Sequence, residues 1–563
     1  MARTVGIGIQ DFSTIIENQY FYIDKTPFIK EWWESGDSVT LITRPRRFGK
    51  TLTMSMVEQF FSTMYAGRGD LFEGLAIWQE EKYRTLQGTY PVISLSFAGV
   101  KERTNEQACK KICRIIKSLY DKYDFLLESD ALSESQKADF RRVSEDMEES
   151  RASYSLKALS DYLYLHYGKK VIILLDEYDT PMQEAYVDGY WDEFVAFTRN
   201  LFNSTFKTNP SLERGIMTGI TRVSEESMFL DLDNLEVVTT TSNKYEDAFG
   251  FTEKEVFVAL EEYGFSEKKE KVKEWYDGFI FGHMPDIYNP WSILNFLDTG
   301  KFKAYWANTS SNSLVGKLIR EGSRRTKATF EALMRGEHIY QAIDEQIVYN
   351  QLDEDERAIW SLLLASGYLK VLDYEEYDED VWEPKYELTL TNLEVKIMFR
   401  NMISRWFSMA EGVYNEFVTA LLCGDLKAMN RYMNEIALET FSYFDTGRRV
   451  SQKAEPERFY HGFVLGLMAE LTGRYMLTSN RESGFGRYDV MLQPKREEDN
   501  AIIIEFKVRD EEDEKTLADT VAAALRQIDE KEYETVLISG GIEKGRIRKY
   551  GFAFEGKKVL IGK

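Results

Sequence analysis

Two groups of residues have the types and spacing to do chemistry on phosphates. The first is Leu41-Ile42-Thr43-Arg44-Pro45-Arg46-Arg47-Phe48-Gly49-Lys50-Thr51. It follows a short run, Val39 to Ile42, that reads as a buried strand, and precedes a helical pattern through Leu52, Met56, Val57, Phe60 and Phe61. In such a strand-loop-helix, Gly49 lets backbone N–H groups face a phosphate and Lys50 reaches the β- and γ-phosphates. The Thr51 hydroxyl then ligates Mg²⁺ at the positive end of the helix. Arg47, Phe48, Gly49, Lys50 and Thr51 are therefore the candidates for holding a nucleoside triphosphate. The usual first glycine, five residues before Gly49, is replaced by Arg44, and Pro45 follows it.

A strand must deliver the acids that such a loop needs, and Lys170-Val171-Ile172-Ile173-Leu174-Leu175-Asp176-Glu177 has the right form. A continuous aliphatic run fits a strand buried on both faces of a parallel sheet, whose C-terminal edge is where such sheets bind ligands. Asp176 is expected in the Mg²⁺ shell and Glu177 as the base that polarises the attacking water. Arg214 to Arg222 reads as a further strand ending in polar groups. By analogy with additional-strand ATPases, its end nominates Thr221 as the sensor of the γ-phosphate, with Arg222 a weaker candidate. Asn243-Lys244-Tyr245-Glu246 lacks the final Asp of a guanine-reading Asn-Lys-x-Asp, so ATP is the expected nucleotide.

The second group lies near the C-terminus. Tyr475–Ser479, Arg487–Gln493 and Ala501–Val508 read as strands, and the polar link 494–500 is short enough for an antiparallel hairpin. That pairing brings Asp489 near Glu505. Alternation puts Glu505 and Lys507 on one face and Phe506 on the other. Two carboxylates can hold Mg²⁺ with waters left in its shell, and Lys507 can orient a nucleophile or stabilise charge. This is the chemistry of metal-assisted phosphodiester hydrolysis. Glu470 and Glu482 both stand as the source of a third acid.

Arg-Pro-Arg-Arg-Phe-Gly-Lys-Thr, preceded by Tyr22-Ile23-Asp24-Lys25-Thr26, resembles the AAA-ATPase-like family of prokaryotic proteins. The likeness continues through Trp275-Tyr276-Asp277-Gly278, Tyr288-Asn289-Pro290-Trp291 and Tyr305-Trp306-Ala307-Asn308. Members of that family often end in a PD-(D/E)XK nuclease-like domain. Gly-Arg-Tyr-Asp489 followed by Ile-Ile-Ile-Glu505-Phe-Lys507 resembles the core of that superfamily. Ala-Leu-Arg-Gln527, with Tyr533 beyond it, resembles its Gln-containing helix, which adds Gln527 to the catalytic candidates. The resemblance also places the first residues beside the nucleotide.

The elements expected to position these groups divide the chain in four. Residues 1–250 form a P-loop NTPase core with an additional-strand (ASCE-type) parallel sheet, and 251–340 a helical lid. Residues 341–450 form a winged-helix-like region, from a helix (353–366), two strands (368–374, 385–390) and a second helix (391–407). Residues 451–563 form an α/β nuclease-like domain with an entering helix (460–471), a helix (522–533) and a last strand (535–539). The stretch 128–150 reads as an exposed helix or loop, a solvated face. A chain of 563 residues, 43% hydrophobic, suffices for several packed cores. Met1 to Ile9 has no secretory pattern and no apolar run nears the ~20 residues of a membrane span, so a cytoplasmic protein is expected. Cys109, Cys113 and Cys423 are too few for a disulfide framework.

The formal net charge of −23 opposes loose binding to DNA or RNA, so any such contact must come from a local basic patch or a metal ion. The tip 375–383, with Glu375, Glu376, Asp378, Glu379 and Asp380, would repel a phosphate backbone and suits a protein partner better. The alternative reading is an ATP-switched signalling or scaffold protein, including a homo-oligomer, whose last domain binds without cleaving.

Overall fold

The computed structural model describes residues 2–223, 233–306, 313–321, 323–344, 346–347, 352, 357–375, 385–408, 413–440, 464, 468, 471, 474–483, 486–496, 498–510, 514–555 and 558–563. It divides into two compact units, Met1–Val315 with His338–Val395, and Gly316–Glu337 with Lys396–Lys563.

The first unit is built on five parallel strands: β1 (Val39–Thr43), β2 (Val92–Ser96), β3 (Val171–Asp176), β4 (Leu212–Gly219) and β5 (Leu235–Val238), in the order β2-β3-β4-β1-β5. The strand inserted between β1 and β3 makes this the additional-strand arrangement. Ile42, Ile172, Leu174 and Ile216 pack in one cluster with the helices Pro27–Ser35 and α1 (Lys50–Phe61). The alternating Leu41, Ile173, Leu175 and Met217 are buried as well, so both faces of the sheet are covered. The segment 128–150 folds the short helix Glu134–Arg141 and is mostly exposed, anchored by the buried Leu132, Phe140 and Val143.

Beyond the sheet, the expected helical lid is only partly helical. Phe251–Thr252 (β6), Phe279–Phe281 (β7) and Met284–Tyr288 (β8) form an antiparallel sheet with β8 in the middle. Phe279 and Phe281 alternate towards Phe48, a period of two that helix-period reading misses. α2 (Pro290–Thr299) follows, capped by Asn289. The later part of this unit has a helix, α3 (Arg357–Ala365), and strands β9 (Ile339–Ala342), β10 (Leu369–Tyr374) and β11 (Lys385–Leu390). The helix α4 (Leu393–Ser408) begins next. Of the acidic tip only Glu375 is described, and it is exposed.

The second unit carries a mixed sheet of β12 (Tyr475–Ser483), β13 (Gly486–Pro494), β14 (Ala501–Val508), β15 (Ile547–Glu555) and β16 (Lys558–Gly562), paired in that order. Only β14 and β15 are parallel, and α7 (Leu517–Glu530) lies between them in sequence. Val490, Leu492, Ile502, Ile504 and Phe506 enter the core shared with α5 (Val413–Cys423) and α6 (Leu426–Thr440). Met491, Ala501 and Ile503 enter the opposite cluster with Ile528 and Tyr533. The edge strand β16 is closed by two asparagines one helical turn apart on α6. Asn430 exchanges bonds with Ile561 (N–H 2.8 Å, C=O 2.8 Å) and Asn434 with Val559 (3.0 and 2.7 Å). Their amides act as a surrogate strand. The strand expected at 535–539 is a helical turn; Val536 and Ile538 are exposed, and β15 supplies the strand instead. Most of the helix expected at 460–471 lies outside the described residues.

Candidate functional site

The phosphate loop leaves β1 through a buried arginine. Arg44 is 0% exposed; its guanidinium donates to the carbonyls of Thr43 (3.0 Å) and Thr239 (2.5 Å) and reaches those of Lys244 and Tyr245. Phe281 lies 4.6 Å beneath it. The residue in the first glycine's place is thus a bracket between β1 and the chain after β5. Gly49, at φ 86°, supplies the left-handed turn that starts α1, a conformation open to glycine. Arg47 also has positive φ (66°), and its guanidinium lies 4.4 Å over Trp291. Phe48 is buried against Phe279 and Phe281.

Lys50 is folded onto its own loop. Nζ donates to the carbonyls of Arg44 (3.0 Å) and Pro45 (3.1 Å) and lies 3.5 Å from Glu177 Oε1. Thr51 Oγ1 donates to Asp176 Oδ2 at 2.8 Å, with Ser96 Oγ 3.5 Å from the same oxygen. Hydroxyl and carboxylate oxygens at this separation are the donor set Mg²⁺ takes, so the residues fit that ion. Burial and the Glu177 charge raise the Asp176 carboxyl, against hydrogen bonds from Thr218 and Thr51. Glu177 has φ 53°, an uncommon state for a glutamate and a strain found at working sites. Arg47 to Thr51, Asp176 and Glu177 all line one cavity of about 490 Å³, with Tyr22, Phe251 and Trp291 also in its wall.

Thr221 is not brought to this cavity. Its hydroxyl donates to Asp179 (2.9 Å), which also accepts from the amides of Ile220 and Thr221. Those amides leave the strand, so β4 ends at Gly219 and not at Arg222. Thr218, buried behind the two acids, braces them: its hydroxyl donates to Asp176 Oδ1 (2.5 Å) and accepts from the Glu177 N–H (3.3 Å). Register was the missed signal, because Met217 pairs with Leu175 and Thr218 therefore faces Asp176. Arg222 lies in a two-residue ladder with Gln346–Ile347.

In the second unit, the pairing of Val490 with Ile504 carries Asp489 opposite Glu505. Both share parity with Met491 and Ile503, on the face covered by α7. Asp489 Oδ2 accepts from the Phe506 N–H at 2.8 Å. Burial pushes its carboxyl up to about 6, with that N–H and the Lys507 charge pulling the other way. Glu505 is 2% exposed, and Gln527 Nε2 donates to its Oε1 and to the Tyr533 hydroxyl (3.2 Å). Asp489, Glu505, Lys507 and Gln527 are therefore gathered on one face, a hard-oxygen donor set with a cation and a positioning amide beside it. Glu470 and the side chain of Glu482 lie outside the described residues.

Comparisons with known proteins bear on both sites. Residues 6–229 match the family described as predicted AAA-ATPase, and residues 455–563 match the PD-(D/E)XK nuclease superfamily. An uncharacterized protein in the vnfD 5' region of Azotobacter chroococcum mcd 1 is 26% identical over 396 residues, 70% of this chain and 68% of that protein. A solved structure of a Signal Transduction ATPase with Numerous Domains protein, with a tetratricopeptide repeat sensor, from Pyrococcus horikoshii aligns at 10% identity and TM-score 0.23. The alignment covers 79% of this chain and about half (53%) of that one. Among the described residues no helix is long and apolar enough to cross a membrane. The chain joins a predicted AAA-ATPase domain, over residues 6–229, to a domain of the PD-(D/E)XK nuclease superfamily over residues 455–563.

Proposed function

We propose that this chain binds and hydrolyses ATP with Mg²⁺ at Lys50, Thr51, Asp176 and Glu177, and that its last domain cleaves nucleic-acid phosphodiesters under control of that site. One observation carries the reading: two buried parallel strands deliver a lysine, a hydroxyl and two carboxylates to the wall of a single cavity. Lys50 would exchange the carbonyls of Arg44 and Pro45 for phosphate oxygens. Thr51 and Asp176 would hold the metal, Glu177 would orient the attacking water, and Thr218 would fix both acids. The base would lie against the aromatic residues of the cavity wall, Tyr22, Phe251 and Trp291. Adenine suits it better than guanine, since Lys244 is already paired with Asp37 and Glu236.

In the last domain Asp489 and Glu505 would hold Mg²⁺, which when bound lowers the pKa of its water and neutralises phosphate charge. Lys507 would hold the nucleophile or the developing charge, and Gln527 would keep Glu505 turned inward. Functionally, residues 1–250 would serve the nucleotide, 251–340 close over it as a lid, 341–450 contact a protein as a winged-helix-like region, and 451–563 act on DNA or RNA. Equilibrium binding of a labelled ATP analogue to the wild type and Lys50→Ala tests the first half; equal binding would sink it. Glu177→Gln should bind ATP yet turn it over about 100- to 10,000-fold more slowly.

The net charge of −23 favours a second reading, an ATP-switched scaffold or signalling protein, alone or as a homo-oligomer, with a recognition module at its end. Oligomeric state with and without ATP separates the two in part.

A further inference from the structure

We propose that Asn289, Trp306 and Glu394 are positioning residues of the phosphate loop, doing by side-chain hydrogen bonds what extra glycines do in an ordinary one. The proposal rests on reading that loop as the ATP site. The carbonyl of Arg46 accepts twice, from the Trp306 indole N–H at 2.9 Å and from Asn289 Nδ2 at 3.3 Å. Both lone pairs of that oxygen are then engaged. Because the peptide is planar and trans, clamping this carbonyl also fixes the direction of the Arg47 N–H, in the segment that lines the cavity. Arg47 stands at φ 66° with no glycine's freedom, so the loop needs a restraint from outside itself.

The clamp is a closed circuit. Asn289 is 0% exposed, and its Oδ1 accepts from the N–H groups of Trp291 (2.9 Å) and Ser292 (3.3 Å), capping α2. The Ser292 hydroxyl donates to Glu394 Oε2 at 2.8 Å, and the Trp306 backbone N–H donates to Glu394 Oε1 at 2.7 Å. Glu394 is itself 0% exposed, in the first turn of α4. The Trp306 ring is held between Phe279 and Tyr368, each 5.5 Å away. From Arg46 through Asn289, Ser292, Glu394 and Trp306 the bonds return to Arg46, so the shape of the phosphate loop is set by residues about 240 to 350 positions along the chain. Nucleotide that reorders this loop must load the same bonds.

Three substitutions isolate the clamp. Asn289→Asp keeps the cap of α2 but replaces the donor to Arg46 with a repelling oxygen; Trp306→Phe keeps the ring and removes the N–H; Glu394→Gln removes one of two acceptors. Each should weaken ATP binding to the intact protein by roughly 2- to 12-fold, the range for one hydrogen bond, with Asn289→Asp at the upper end. A merely structural role would lower the melting temperature without a selective effect on ATP. A second readout separates them: in protein labelled with 5-fluorotryptophan, the resonance lost in Trp306→Phe should shift on addition of ATP. A wild type that binds ATP, beside Asn289→Asp and Trp306→Phe proteins that bind it equally well and a resonance that does not move, would overturn the clamp alone. A wild type that binds no ATP would remove the underlying reading and the clamp with it.

Discussion

Replacing Asp489 by asparagine should stabilise the metal-free second unit at neutral pH and abolish its response to Mg²⁺. Burial pushes this carboxyl up to about 6, some two units above an ordinary aspartate, worth roughly 3 kcal/mol of differential interaction. Between about pH 4 and pH 6 the folded state keeps a proton that the unfolded chain has released. Stability therefore falls as pH rises through that window, and the full penalty stands above it. Asparagine carries no charge, and its oxygen can still accept from the Phe506 N–H. Asp489→Asn should thus exceed the metal-free wild type by up to about 3 kcal/mol at pH 7.5, with the difference shrinking towards pH 4.5. Mg²⁺ at a hundred times its dissociation constant should return about 2.7 kcal/mol to the wild type at pH 7.5 and nothing to the variant. Hydrogen exchange over 501–508 in the intact protein, corrected for intrinsic rates, measures all of these. A variant less protected than the wild type by the same margin at every pH would refute the reasoning, because Asp489 would then be a structural acceptor and not a charge held in readiness for a cation.

Thr218→Val should slow ATP hydrolysis roughly 10- to 150-fold, the value of a hydrogen bond to a charged group, while Thr221→Val stays within about threefold of the wild type. Steady-state turnover of the two variants decides which threonine serves the site. Arg44→Gly restores the usual glycine yet should destabilise the first unit by about 3 kcal/mol or more, since it strips buried carbonyls of their donor. Thermal unfolding should show the loss, and ATP titration should show no gain in affinity. Asn430→Ala and Asn434→Ala each remove two bonds from the β16 edge, about 1–3 kcal/mol, and should speed amide exchange at Ile561 and Val559 respectively.

Much of the scaffold could be read from local pattern. The uninterrupted aliphatic run at 171–175 and the β-branched and aliphatic run at 39–42, whose only polar group is the Thr40 hydroxyl, gave buried parallel strands, and parity alone placed Glu505 and Lys507 on one side of β14. What failed was set by distant chain. Nothing near Arg44 shows that carbonyls from 239 to 245 will surround it, and Asn289 and Trp306 meet Arg46 across 243 and 260 residues. The end of β4 was misplaced because Asp179, from the loop after β3, takes the amides that would have prolonged it. At 535–539 an apolar run of strand-forming residues became a helical turn, since β15, with Tyr550, Phe552 and Phe554 facing the core, already fills the place beside β14.

The most direct measurement is incubation of the purified protein with single- and double-stranded DNA and RNA, with Mg²⁺ or Mn²⁺, with and without ATP, beside Asp489→Ala, Lys507→Ala and Lys50→Ala. Metal-dependent cleavage that changes with ATP, is lost in the Asp489 and Lys507 variants and loses its ATP response in the Lys50 variant is the predicted result. Cleavage that survives in both nuclease-site variants would be contamination. No cleavage under any condition would contradict the account in favour of an ATP-switched scaffold.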